Sequence, residues 1–278
     1  MAPTVLITGC TKGSMGYSLA KEFARRGWHV YATARKVESM EGLDAAGKVT
    51  LLSLDVTNHE SLVAARDRVS SENGGKLDVL YHNAGRRSLV MAIDSDPKSD
   101  FDDDVALFKT NLFGIMDANR LFAPLLISAM GTVVLTGSVS GRIPQPSQAA
   151  YNASKAALEM YSKILRLELA PLSVKVVYTL TGGVQTHQSA QRVKFPPESL
   201  YRPIEKKMND AWEKYERIGM DPDSYAKYVV GKVVQKHPPE NIWAGYGSRI
   251  TWFIETTGMQ WIYDRMMKSD YGLDRPLR

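Results

Sequence analysis

Through most of this 278-residue chain, short apolar or β-branched runs alternate with longer amphipathic stretches, and no other feature limits its fold so tightly. Runs of strand length separated by helical periodicity are the pattern of repeated strand and helix units around a parallel sheet. The spacing predicts strands from Thr4 to Thr8, His29 to Thr33, Val49 to Leu54, Val79 to His82, Thr132 to Thr136, Val174 to Leu180 and Asn241 to Ala244. Between them it predicts helices from Met15 to Arg26, Glu60 to Ser70, Asp104 to Met130, Tyr151 to Ala170 and Asp223 to Lys236. Gly27, after two arginines, suits a helix end, and Asn58 suits an N-cap before Glu60 and Ser61.

No repeat, low-complexity tract or linker interrupts the alternation, so residues 1–278 read as one α/β domain. Two segments depart from it. Residues 187–222 carry Phe195-Pro196-Pro197 and an aromatic stretch with Trp212 and Tyr215 between the last two strands, a connection whose length marks a functional lid. Residues 247–278 form a tail in which Trp252, Met259, Ile262 and Met266 follow a rough helical stripe.

Hydrophobic residues at 44% and charged residues at 23% exclude disorder. A net charge of +5 favours anionic partners, but lysine and arginine are spread along the chain, so a solvated surface is expected and nucleic acid is not. Cys10 stands alone, which rules out an internal disulfide and fits a reducing compartment. The start lacks the charged leader of a signal peptide, and no window reaches 18 apolar residues, so a cytoplasmic protein without a transmembrane segment is expected.

The first strand runs into Thr8-Gly9-Cys10-Thr11-Lys12-Gly13-Ser14-Met15-Gly16, which opens the first helix. Glycines there permit a tight turn and close backbone approach to a pyrophosphate, while the helix N-terminus offers N–H donors and a favourable dipole. After the second strand, Ala34 stands where an acid would accept from a ribose 2′-hydroxyl, and Arg35 follows, which suits a 2′-phosphate. NADPH/NADP+ is therefore the expected cofactor, with no metal; Arg35 and Lys36 also read as exposed loop charges. Asp55 and Val56 close the third strand, and Asn83-Ala84-Gly85 the fourth, both where strand ends meet the ligand crevice of an open sheet.

Tyr151 and Lys155 lie four residues apart, on one face of a helix, with Ser138 upstream in Thr-Gly-Ser-Val-Ser. A nearby ammonium favours an ionised phenol and brings it towards the range of a general acid or base. With the glycine loop, the set reads as a nicotinamide-dependent carbonyl reductase.

In these elements, and in Asn111 of Thr-Asn-Leu-Phe-Gly, the chain resembles the short-chain dehydrogenase/reductase family over roughly residues 3–250. Within it the chain is most similar to fungal NADPH-dependent 1-acyl-dihydroxyacetone-phosphate reductases and a 17β-hydroxysteroid dehydrogenase-like group. The resemblance implies a Rossmann-type, doubly wound parallel sheet with helices on both faces. It implies that Tyr151 protonates the carbonyl oxygen, that Ser138 holds that oxygen, and that Lys155 binds ribose hydroxyls and stabilises the tyrosinate. It also implies that Asn111 anchors a water in a proton path, and that Val184 and Thr186 meet the nicotinamide carboxamide. The glycine loop is one residue longer than the family pattern, which leaves either Gly13 or Ser14 in the middle position against the pyrophosphate.

Phe195, Leu200, Tyr201, Met208, Trp212 and Tyr215 are expected to line the lid, favouring a lipophilic or aromatic ketone. Arg192, Lys194 and Arg202 face either a substrate phosphate or solvent. The tail is expected to pack or to join subunits, with peripheral membrane contact as the other reading, and the resemblance implies a homo-oligomer. A cofactor-binding scaffold or NADPH sensor that has lost turnover is the alternative to an enzyme.

Overall fold

The computed structural model describes residues 2–93, 101–187 and 189–277; Met1, Gln188 of the expected lid, and Arg278 of the tail lie outside them. The strands are β1 (Thr4–Thr8), β2 (His29–Ala34), β3 (Val49–Ser53), β4 (Val79–His82), β5 (Thr132–Thr136), β6 (Lys175–Thr181) and β7 (Asn241–Ala244). All are parallel and form one sheet in the order β3-β2-β1-β4-β5-β6-β7. In the register, Ile7 of β1 sits opposite Ala32 on one side and Tyr81 on the other. Every residue of β1, β2, β4 and β5 is buried, which explains why these strands are near-continuous apolar runs.

The helices are α1 (Met15–Arg25), α2 (His59–Glu72), α3 (Phe101–Phe108), α4 (Gly114–Ala129), α5 (Ala149–Leu169), α6 (Glu205–Arg217), α7 (Pro222–Val233), α8 (Ser248–Thr257) and α9 (Trp261–Tyr271). Successive strand residues point to opposite faces, so each face has its own core. Val5, Ile7 and Val30 pack beneath Leu19 and Phe23 of α1 and Tyr225 and Val229 of α7. Leu6, Leu80 and Val133 pack beneath Leu62 of α2, Phe122 of α4 and Leu158 of α5. Caps set the starts: Ser14 Oγ accepts from the Tyr17 N–H, Asn58 Oδ1 from Ser61, and Asp221 Oδ2 from Ser224 ahead of Pro222.

Three local differences from the sequence reading have physical causes. The single helix expected from Asp104 to Met130 begins at Phe101 and is split by a π-helical turn over Lys109–Phe113, which holds the buried Asn111. The run Phe101–Ala129 is also long and apolar enough to cross a membrane by composition, although no 18-residue apolar window was read there; 44% of that window is buried inside the molecule. The segment expected as a lid contains α6, and the tail forms two helices that end on left-handed Gly258 and Gly272.

The tail's buried set also differs from the expected stripe. Trp252 and Met266 are largely exposed, whereas Tyr263, Met267 and Tyr271 are buried. Met267 and Tyr271 join Val193, Phe195, Met208 and Trp212 in a third cluster, so α9 packs on α6.

His82, at the end of β4, is packed away from solvent with its Nε2 2.9 Å from Asn119 Oδ1. Burial pulls its pKa from 6.5 down to about 4, against the weaker opposing effect of Asn119. Between those values the unfolded chain holds more protons than the folded one, so stability falls as pH drops through this window. Thermal melts from neutral pH to pH about 4 should therefore decline less steeply for His82→Gln than for the parent, by up to roughly 3 kcal/mol. Equal slopes would show that His82 does not contribute to acid lability.

Candidate active site

The strand order reverses between β1 and β4, so the loops leaving their carboxyl ends diverge and open a crevice. Asn83 laces the two strands there. Its backbone N–H donates to Thr8 Oγ1 at 3.0 Å, and its Nδ2 donates to the carbonyls of Thr8 and Gly9, both at 3.0 Å. Gly16 packs into this junction so closely that a Cβ would lie 2.3 Å from the Gly9 oxygen. Gly13 has φ +80°, a left-handed turn conformation, and its Cα faces His187.

A cleft of about 770 Å³ follows, lined by Gly9, Lys12, Ser14, Met15, Arg35, Asp55, Val56, Asn83, Ala84 and Gly85. Ser14 and Met15 line it at the start of α1, and Gly13 and Gly16 do not. Arg35 and Lys12 stand at the exposed rim, with Lys12 Nζ 3.6 Å from Glu41. Asp55 Oδ1 accepts from the N–H and hydroxyl of Thr57, at 2.9 and 2.7 Å. N–H donors at a helix start, an acid at one strand end and a cation at another fit a dinucleotide. Cys10, although in this loop, is turned inward, its thiol on the Ile7 carbonyl at 3.3 Å and pushed up to about 12 by burial. Fully buried and protonated, it is placed as a packed thiol and not as a nucleophile.

A second cavity, of about 460 Å³, opens beside the cleft and shares Met15, Asn83, Gly85, Arg87 and Thr186 with it. Ser138, Tyr151 and Lys155 meet on its wall, with Val184 and Thr186 across from them. Lys155 Nζ donates to the Thr136 carbonyl at 2.8 Å and stands 5.7 Å from the centre of the Tyr151 ring. Burial draws the Lys155 amine down to about 8. Burial also raises the Tyr151 phenol above its ordinary value, and the groups drawing it back are the Ser138 hydroxyl and then the Arg87 charge. Lys155 thus stands beside the phenol, as the sequence reading expected, and Arg87 is a second cation acting on it.

Asn111 lies behind the wall, fully buried within the π-helical turn. Its Oδ1 accepts from the Arg86 N–H at 2.9 Å, and its Nδ2 donates to the Arg86 carbonyl and to Ser154 Oγ. It thus ties the loop after β4 to α5. Of the six expected lid residues, only Trp212 and Tyr215 line the cavity. Phe195 and Met208 are consumed by the third core, Tyr201 packs at its edge, and Leu200 is 65% exposed. Arg192 pairs with Glu216. Sequence reasoning missed Arg87 and His187. Arg87 had a usable signal, since it lies two residues beyond the strand-end turn at Gly85; His187 had none, since only the fold brings it to Gly13.

The profile of the short chain dehydrogenase family matches residues 3–196. A short-chain dehydrogenase of Neurospora crassa is 38% identical over 270 residues, covering 96% of this chain and 91% of the relative. An NADPH-dependent 1-acyldihydroxyacetone phosphate reductase of Schizosaccharomyces pombe is 38% identical over 259 residues, covering 88% and 86%. Among solved structures, a short-chain dehydrogenase from Streptomyces avermitilis superposes with a TM-score of 0.78 at 25% identity, covering 98% of each chain. With a sheet that reverses at a glycine loop and a Ser-Tyr-Lys set beside the crevice, this chain belongs to the short-chain dehydrogenase/reductase family of oxidoreductases.

Proposed function

We propose that the protein is an NADPH-dependent ketoreductase that converts a lipophilic or aromatic ketone to a secondary alcohol. The observation carrying this reading is that Ser138, Tyr151 and Lys155 line a cavity walled by Ile143, Trp212, Ile250 and Ile254 that opens beside the cleft at the glycine loop. When bound, the nicotinamide supplies the hydride. Gly9, Ser14, Met15 and the start of α1 hold the diphosphate; Gly13 and Gly16 shape that loop; Asp55 and Val56 hold the adenine, and Asn83, Ala84 and Gly85 pass beside the ribose.

Tyr151 gives its proton to the carbonyl oxygen. A phenol is protonated at neutral pH, the state a reduction needs, and burial reinforces that state here. Ser138 donates to the same oxygen and holds the carbonyl against its own motion. Lys155 orients the ribose hydroxyls from its anchor on Thr136, and Asn111 keeps the loop and α5 in register for a proton path. Val184 and Thr186 fix the carboxamide.

NADPH is preferred to NADH on two grounds: Arg35 and Lys12 stand at the cleft rim without an acid at the end of β2, and the S. pombe relative is named for NADPH. Arg35→Ala should raise the KM for NADPH about tenfold and leave that for NADH unchanged, since a charge-assisted contact is worth about 1.5 kcal/mol or more. Loss of both alike, or of neither, would remove Arg35 from phosphate recognition. Tyr151→Phe should retain NADPH binding by fluorescence titration while ketone turnover falls by about a hundredfold or more. Full turnover in that variant contradicts the assigned acid; tight NADPH binding with no turnover of any ketone by the parent indicates a sensor or scaffold instead.

The chain also pairs with a second copy through α5 in this reading. Met160, Ile164 and Leu167 form one stripe on that helix and are 56%, 47% and 76% exposed. Light scattering of Leu167→Glu should show a monomer where the parent is an oligomer. An unchanged mass would move the interface elsewhere.

A further inference from the structure

Arg87 is a cation at the junction of cleft and cavity whose hydrogen bonds are not completed by the protein. Its guanidinium carbon lies 5.0 Å from the centre of the Trp212 ring, and its Nε reaches Gln191 Oε1 only at 3.4 Å. Its Nη2 is buried and, among the described residues, has no acceptor. Burial disfavours its charge, as its lowered pKa records, with Tyr151 the first group opposing that effect. The nearby acids compensate it only in part: Glu216 favours its charge but is paired with Arg192, and Asp270 accepts from the Tyr215 hydroxyl.

Two further donors stand beside it in the same condition. Trp212 Nε1 and the Tyr271 hydroxyl are buried and, among the described residues, have no partner, and their rings meet edge to face at 5.4 Å. Thus Arg87 from a strand-end loop and Trp212 from α6 line the cavity, and Tyr271 from α9 stands behind Trp212. Buried donors left unmade are costly, and a buried cation with only a shared counter-charge more so, so Arg87 and Trp212 are poised for an acceptor brought into the cavity.

We propose that Arg87, backed by Trp212 and Tyr271, is the subsite for a singly charged carboxylate carried by the substrate, so that the preferred ketones are lipophilic oxo acids. This rests on the ketoreductase reading above and specifies its substrate class. A planar guanidinium matches a carboxylate with two parallel hydrogen bonds. Glu216 and Asp270 also line the cavity, and their charges disfavour a doubly charged phosphate in the same place. The apolar walls then receive the chain between that anion and the ketone, which reaches Tyr151.

The test compares a medium-chain oxodecanoate, its ketone near the methyl end, with its methyl ester. The parent should favour the acid in kcat/KM by about tenfold or more, chiefly through KM. Arg87→Met should bring that ratio close to one while NADP+ affinity stays within about twofold, and Arg87→Lys, which keeps the charge but loses the fork, should recover part of it. A parent indifferent to the ester, or a variant that slows both compounds and keeps their ratio, overturns the subsite. A parallel fall in NADP+ affinity assigns Arg87 to the cofactor and overturns it equally. Decanoate titrated into the NADP+ complex, followed by tryptophan fluorescence, should saturate for the parent and not for Arg87→Met. This binding arm reads the subsite even if no ketone is reduced, so failure of the ketoreductase reading is told apart from failure of the carboxylate site. Should Arg87→Met not fold, Arg87→Lys carries both comparisons, and unchanged behaviour in it overturns the proposal.

Discussion

The lacing of Thr8 to Asn83 at the point where the sheet reverses is the contact on which the rest of the molecule depends. β1 and β4 are hydrogen-bonded neighbours, yet their outgoing loops turn to opposite sides, so backbone cannot fill the space between them. A crevice there follows from topology alone. What makes it a site is that small residues keep the two strand ends close. The Thr8 hydroxyl accepts from two successive backbone N–H groups, and Gly16 lets α1 start directly above them. The donors at the start of α1 are therefore aimed across a floor that cannot shift without breaking several short hydrogen bonds together.

The Ser138, Tyr151 and Lys155 set is positioned by a second group of constraints, between β5 and α5. The Lys155 ammonium is buried and bonds the Thr136 carbonyl, while the Tyr178 hydroxyl from β6 donates to the Lys155 carbonyl at 3.2 Å. Both ends of one residue are thus tied to strands. Asn111 adds a third tie, from the π-helical turn to Ser154. Placing an ammonium in such surroundings carries a desolvation penalty, visible in its depressed pKa, and the carbonyl bond offsets part of it. Arg87 lines the same cavity and brings a second cation to the phenol, beside Lys155, from the substrate side.

The substrate side is the part of the molecule that the alternating pattern does not describe. Aromatic residues between β6 and β7 were read as a lining, but most of them pack against α9. An apolar helix face has to be buried somewhere, and the tail provides the opposing surface; only Trp212 and Tyr215, at the edge of this small core, remain available to the cavity. The tail stripe was misread for a related reason. Helical period identifies a face only if the helix is unbroken, and Gly258 divides this one, rotating the second half relative to the first.

The strands, the principal helices, the crevice and the Ser-Tyr-Lys set were legible in the sequence because each depends on local spacing. β-Branched runs pair as strands, a serine or asparagine caps the next helix, and residues four apart on a helix share a face. That Ser14 and not Gly13 lines the cleft, and that Arg87 reaches the cavity holding Tyr151, were decided only by the tertiary structure. Arg87, Trp212 and Tyr271 belong to segments more than a hundred residues apart, or on opposite sides of α7, and no spacing rule links them. Hydrogen-bond partners and desolvation are properties of the packed neighbourhood, whereas periodicity and capping are properties of the chain; the fold was therefore written locally, and the chemistry of the substrate side was settled by packing.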